Sequence, residues 1–268
     1  MKKSQFPLFF LAYLAIMAFL SACNEQDKDS ANADQIKIDA FSKPQPMVGL
    51  FVLSLEKAHN AAEYRKHENV RFEVTTDFGE MEKVHAIITM STTQKDVKIE
   101  NDDGTYLVYE ESTTSLQEDS IMHNFERFKH FAWAHFFSLP KRLRNEYVRV
   151  ENFEGSSLLG DESFRVRRIR LVPRPGHDDL FEWYVVYADR STGLLRYAGY
   201  GLPSEIYESK NALSHSVEYS DYDLVEGIPI AQRWTFWEWN TETGLGKKLG
   251  ESRLKNISFP EVAEDYYK

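Results

Sequence analysis

The chain is nearly devoid of cysteine: among 268 residues there is one, Cys23. A lone thiol excludes an internal disulfide and any metal centre built from several cysteines, so a folded body has to be held by its core. Proline and glycine are sparse as well, at 9 and 13 residues, which excludes collagen-like and linker-like compositions. There is no Gly-x-Ser-x-Gly elbow, Walker phosphate loop or dinucleotide fingerprint, so the short signatures of many hydrolases and nucleotide-binding proteins are missing. No period of 20 to 50 residues repeats, which argues against solenoids and propellers. Positive charge is short too: 32 Lys and Arg stand against 42 Asp and Glu, for a formal net charge of −10. Nucleic acid fits such a chain poorly, because phosphate binding needs a basic footprint. Finally, the apolar run from Phe6 to Leu20 reaches only about 22 Å as a helix, short of the ~30 Å hydrocarbon core of a bilayer.

What is present begins with that run. Lys2 and Lys3 precede it, and Leu20, Ser21 and Ala22 shrink toward Cys23, the three-part order of a secretory signal. Leu20-Ser21-Ala22-Cys23 resembles the bacterial lipobox. That resemblance implies that residues 1–22 are a lipoprotein signal peptide and that Cys23 becomes the acylated, palmitate-type first residue of the mature chain; an ordinary signal beside an incidental cysteine is the other reading. Several acyl chains, at about 0.8 kcal/mol per buried methylene, hold far more firmly than one. Residues 23–46 are polar and charged, with Pro44 and Pro46 at the end, and read as a disordered tether. Glu25, Asp27 and Asp29 fit either an acidic surface-export tag or a plain charged linker. Asn24 stands where an aspartate is associated with inner-membrane retention. The expected location is therefore the cell envelope, as an outer-membrane lipoprotein on the periplasmic face or the cell surface, with residues 47–268 as a single domain.

Within that domain, apolar residues recur at helical spacing over residues 47–67, predicting a helix. The period then shifts to two. RFEVTTDF, EKVHAIITM, KDVKIE and TYLVYEE read as strands, with Asn101-Asp102-Asp103-Gly104 as a hairpin turn. A second helix is predicted from Ile121 to about Ser138, with Phe125, Phe128, Phe131, Trp133, Phe136 and Phe137 on more than one face, so it must be covered on most sides. Seven further strand patterns follow, from EYVRVENF to KLGESRLKNISF. About eleven strands joined by short turns predict a mainly β, α+β fold: an antiparallel meander curled into a barrel or half-barrel with helices against it.

This order of elements resembles the LolA/LolB-like lipoprotein carriers and uncharacterised outer-membrane lipoproteins of the same architecture. The residues that carry the resemblance are FEWYVVYADRSTGLLRYAGY (181–200), VEYSDYDLVEGIPIAQRWTFWEW (217–239) and AHNAAEYRKHENVRFEV (58–74). It implies an incomplete antiparallel barrel whose concave, apolar side is plugged by helices, over roughly residues 50–260. Asp189-x-x-Thr192-Gly193 is by itself a common turn with glycine at the left-handed position.

Several constellations bear on chemistry. His59, Glu63 and His67, four apart on the predicted helix, could offer nitrogen and oxygen ligands to zinc or form a solvated stripe; they are weak candidates, and neither a metal nor a cofactor is expected. The window Lys141–Arg174 holds nine Lys and Arg against five acids. In it Arg165, Arg167, Arg168 and Arg170 lie on one strand over both faces, suited either to anionic headgroups or an acidic partner, or to pairing with neighbouring acids. Trp234, Phe236, Trp237 and Trp239 make one strand aromatic on both faces, as core packing or as a cavity wall. The leading expectation is a lipid-anchored envelope protein, not an enzyme, whose half-barrel binds a hydrophobic or lipidic ligand. Its cavity would be lined by Phe125, Phe128, Phe131, Trp133, Phe137, Trp183, Tyr187, Trp234 and Phe236. A scaffolding lipoprotein with a filled core, or an envelope hydrolase with carboxylates assembled from distant strands, are the alternatives.

Overall fold

The computed structural model describes residues 46–79, 83–104, 106–110, 132–143, 148–153, 164–171, 183–201, 215–240 and 243–267, all within the compact unit Lys43–Lys268. Two helices open it, α1 (Pro46–Ala58) and α2 (Ala61–Tyr64), followed by β1 (Asn69–Asp77), β2 (Val84–Ser91), β3 (Asp96–Asn101) and β4 (Tyr106–Glu110). Helical residues 132–138 run into a 3-10 turn, Leu139–Lys141. The remaining strands are β5 (Val148–Glu151), β6 (Phe164–Leu171), β7 (Trp183–Asp189), β8 (Leu195–Gly201), β9 (His215–Val225), β10 (Ile228–Asn240) and β11 (Gly244–Ser258). They form one antiparallel sheet in the order β4-β3-β2-β1-β11-β10-β9-β8-β7-β6-β5. The sheet is not closed; β4 and β5 stand at its two edges, and β1 and β11 join its halves in the middle. The fold class expected from the eleven strand patterns is the one observed.

Alternation explains the layering. Val70, Phe72, Val74 and Thr76 of β1 are buried in turn, as are Ala86, Ile88 and Met90 of β2, so one face of this half points to the core. In β7 both faces are buried: Tyr184, Val186 and Ala188 join the main core, whereas Val185 and Tyr187 join a smaller cluster with Tyr197 and Trp239. The main core lies between the sheet and its helices, with Phe51, Val52 and Leu55 of α1 and Phe136 and Phe137 of the 132–138 helix packed into it. Each such side chain contributes about 1.5–3 kcal/mol when fully buried. On the outer side of the β1–β3 half, the C-terminal residues form a strap: the Tyr266 hydroxyl meets Thr89 and Glu100, and the Tyr267 hydroxyl donates to Asn69 Oδ1 at 2.8 Å.

The hairpins follow their turn chemistry. Glu226 and Gly227 both have positive φ, at 50° and 77°, and link β9 to β10 as a tight two-residue turn whose twist matches the strands. Asp189 Oδ1 accepts hydrogen bonds from Ser191 N, Ser191 Oγ, Thr192 N and Thr192 Oγ1, and Gly193 takes φ 78° as its turn pattern predicts. One expectation fails. Residues 47–67 are not one helix, because the chain breaks at His59 and Asn60. Asn60 adopts a left-handed φ of 46° and its side-chain amide donates to Gly227 O at 3.0 Å. A tertiary anchor to the β9–β10 turn overrides the local helical periodicity.

Candidate functional site

At one end of the main core the helix 132–138, the 3-10 turn, α2 and strands β9 and β10 converge. The rings of Phe72 and Phe137 stack at 4.5 Å with 7° between their planes, and Phe136 meets Trp234 edge-on at 6.4 Å and Phe236 at 6.1 Å. Between Phe136, Phe137, Trp234, Tyr219, His59 and Lys141 they leave a cavity of about 10 Å³, room for at most one water.

Two groups of ionisable type are sunk into this aromatic environment. Lys141 is only 2% exposed. Its Nζ donates to Phe137 O at 2.9 Å and lies 4.5 Å from the Phe137 ring centre and 5.2 Å from that of Tyr64. No carboxylate among the described residues pairs with it. Burial alone lowers its pKa to about 7, because the low-dielectric surroundings penalise the charged ammonium. His59 is buried beside it. Its Nε2 accepts the Leu195 N–H at 2.9 Å, which places the ring proton on Nδ1. Nδ1 turns to the Pro229 carbonyl without reaching hydrogen-bond geometry. Burial, and then the charge of Lys141, lower the pKa of His59 to about 3, so it is neutral at ordinary pH.

Tyrosines complete the polar lining. Tyr219 donates its hydroxyl to Phe136 O at 3.2 Å and Tyr222 donates to Leu195 O at 2.6 Å; burial raises the pKa of both. Tyr184 hydrogen-bonds His135 Nε2 with the two rings stacked at 5.4 Å. The interior is thus aromatic with hydroxyl, imidazole and amine groups turned inward, rather than purely hydrocarbon.

The residues expected to line a cavity divide into three groups. Phe125, Phe128 and Phe131 lie outside the described residues. Trp133, Phe137, Trp234 and Phe236 are all buried in the main core, with Phe137 and Trp234 at the small cavity. Trp183 and Tyr187 belong instead to the smaller cluster on the other face of the sheet, because β7 alternates and their odd positions point away from Tyr184 and Val186. Cys23 also lies outside the described residues.

The weak metal candidates do not come together. The break at Asn60 takes His59, Glu63 and His67 off a common helical face: His59 is buried at Leu195, Glu63 pairs with Lys66 at 2.6 Å, and His67 stacks on Phe259 at 4.1 Å. No group of three metal-type ligands occurs among the described residues. The four arginines of β6 split as the alternation of a strand requires. Arg165 and Arg167 turn toward α1, where Arg165 Nη1 donates to Ser54 Oγ at 3.0 Å and Arg167 lies 5.8 Å from the Phe51 ring. Arg168 lies 5.2 Å from the Trp183 ring, and Arg170 pairs with Glu151 at 3.4 Å. Lys141, Tyr64, Tyr219 and Tyr222 carry no sequence signal of their burial; a lysine just after a helix reads as a solvent-exposed partner of the helix dipole.

No family model matches the chain. No curated protein matches it either. Among solved structures the chain is similar to a LolA superfamily protein from Nitrosomonas europaea, at 8% identity and a TM-score of 0.46 over 82% of this chain and 97% of that one. It is also similar to a DUF1329 family protein from Desulfovibrio piger, at 10% identity and a TM-score of 0.47 over 82% and 97% of the two chains. A third is a domain described as an outer membrane lipoprotein-sorting protein from Vibrio parahaemolyticus, at 12% identity and a TM-score of 0.44 over 80% and 97%. The likeness is one of fold alone.

Proposed function

We propose that the protein is a cell-envelope lipoprotein, moored through acylated Cys23 after loss of residues 1–22, that takes a hydrophobic, acyl-bearing ligand between its sheet and helical cover as a carrier, acceptor or sensor. One observation carries the reading. A sheet that does not close is covered on one face by helical residues 132–138, and the facing surfaces are aromatic, with Phe136 against Trp234 and Phe236 and Phe137 against Phe72. Ligand sites of this kind are apolar clefts with a few polar groups that fix orientation, and Lys141, His59 and Tyr219 supply such groups. At about 10 Å³ the cavity is closed to an acyl chain, so uptake requires residues 132–141 to move off the sheet. Transfer of acyl surface out of water, at about 25 cal/mol per Å², would drive that exchange. The reading assigns no covalent chemistry.

The small cavity favours a second reading, a scaffolding lipoprotein whose core is filled by its own side chains. Native mass spectrometry of the Cys23→Ser protein, followed by solvent extraction, separates the two. A stoichiometric lipid released from folded protein supports the carrier; repeated recovery of folded, lipid-free protein overturns it in favour of the scaffold. For the mooring, radiolabelled palmitate should be incorporated by the natural chain and lost in Cys23→Ser. Equal labelling of both removes the anchor from the proposal.

A further inference from the structure

The outward side of α1 carries an unusual combination. Leu50 is 61% exposed and Leu53 45% exposed, with Lys57 on the same solvent side. At about 100° per residue, Ser54 sits roughly 40° from Leu50 around the helix, and Ser54 is the residue that Arg165 reaches at 3.0 Å. Arg167, two residues on and therefore on the same face of β6, lies beside the neighbouring Phe51 ring. The two guanidinium groups thus flank the helix next to its exposed leucines. None of Lys57, Arg165 and Arg167 pairs with a carboxylate among the described residues, and the Nε atoms of both arginines are buried without a hydrogen bond. In a chain with 42 acids and 32 basic residues, carboxylates are in surplus, yet among the described residues none pairs with these three cations.

We propose that this face of α1, with Leu50, Leu53 and Lys57 on the helix and Arg165 and Arg167 beside it, is a docking surface for an anionic phospholipid bilayer. Exposed leucines flanked by basic groups form the pattern of an element that lies in a headgroup layer, its apolar side chains just below the phosphates. Arginine suits that role because its planar fork can take two phosphate oxygens at once. Chain order points the same way: the residues ahead of the described body, including the apolar Phe6–Leu20 run and Cys23, lead into α1 at Pro46, so α1 is the described element nearest in sequence to them. Leu50, Leu53 and Lys57 lie on the solvent side of the helix, and the half-buried Arg165 and Arg167 stand at its border with β6. The inference rests on the envelope placement proposed above, and on no ligand in the half-barrel.

The test uses the full chain carrying Cys23→Ser and Leu53→Cys, so that a nitroxide label sits at position 53 alone. The protein is mixed with vesicles of phosphatidylcholine, with or without phosphatidylglycerol. A label docked as proposed becomes more accessible to dissolved oxygen and less accessible to a water-soluble paramagnetic complex on the anionic vesicles, and returns to its aqueous values in high salt. Because the readout is local to position 53, insertion of the N-terminal apolar run does not mimic it. Each removed charge is expected to weaken docking about fivefold, so Arg165→Gln with Arg167→Gln lowers it about 25-fold. Lys57→Gln, on an exposed side chain that pairs with no carboxylate among the described residues, is expected to lower it about fivefold with an unchanged melting curve, and serves if the arginine pair fails to fold. A label that stays aqueous on anionic vesicles overturns the proposal. Equal responses on neutral and anionic vesicles, or a Lys57→Gln protein that docks as tightly as its parent, also overturn it. A response to an acidic polypeptide alone, with no response to vesicles, replaces the bilayer by a protein partner.

Discussion

Lys141→Met tests the electrostatics of the core directly. Lys141 is buried, no carboxylate among the described residues pairs with its amine, and its pKa falls from 10.5 to about 7. A lowered lysine pKa means that the unfolded chain holds a proton that the folded chain gives up. The stability associated with this group is therefore fully present above pH 10.5, is lost as pH falls through the interval from 10.5 to 7, and stays lost below it. The slope is about 1.4 kcal/mol per pH unit, and the whole interval is worth on the order of 5 kcal/mol. Methionine has nearly the same length and no charge. It forfeits the bond to the Phe137 carbonyl, worth about 1 kcal/mol, and removes the pH-dependent penalty. Urea unfolding followed by tryptophan fluorescence should find the variant more stable than the natural chain at pH 7, with the gap shrinking by about 3 kcal/mol between pH 7 and 9.5. Other titrating groups are common to both proteins and cancel in the difference. A gap that does not change with pH would falsify the reasoning, because it would mean that the amine keeps its ordinary proton affinity by reaching water.

Three further perturbations bear on other parts of the molecule. His59, with its pKa lowered to about 3, contributes stability that is present above pH 6.5 and lost as pH falls toward 3; His59→Gln should start less stable but show a shallower acid limb in thermal melts at pH 6.5, 5 and 4. Identical limbs would remove His59 from the account of acid unfolding. Gly199→Ala should cost about 1–3 kcal/mol by overpacking, because a Cβ there would stand 2.7 Å from the Trp239 ring; an unchanged melting temperature would show that the indole swings aside freely. Asp189→Ala removes the acceptor shared by Ser191 and Thr192 and should lower stability by about 1 kcal/mol, whereas Asp189→Asn, which keeps one carbonyl oxygen, should lose less in the same denaturation assay.

The sheet was readable because its signals are local. Alternation in RFEVTTDF and the Asp189–Gly193 turn each depend on residues close in sequence, and each appears where the pattern puts it. The helix over 47–67 was misread for the opposite reason. Its break depends on Asn60 meeting the Gly227 carbonyl, 167 residues away, and nothing near Asn60 announces that contact. The same holds for the candidate site. Aromatic character marked Phe137, Trp234 and Phe236 as interior, but the face occupied by Trp183 and Tyr187 follows from strand register, which composition does not specify. Lys141 was invisible, since a lysine after a proline-terminated helix is ordinarily solvated and only the assembled core encloses it. That Arg165 meets Ser54 and Arg167 the Phe51 ring, rather than a carboxylate among the described residues, likewise depends on how α1 packs on β6.

The order of strands has a consequence for how the molecule is made. β1, formed near the start of the body, finds its second neighbour only in β11, so the β1–β4 and β5–β10 halves share no seam until the last strand has been synthesised. Up to then the growing chain carries two half-sheets with raw inner edges, each a template for wrong pairing. A stop codon before Gly244 would abolish the junction itself rather than trim a tail, and any factor that shields nascent chains is needed longest at the flanks of β1 and β10.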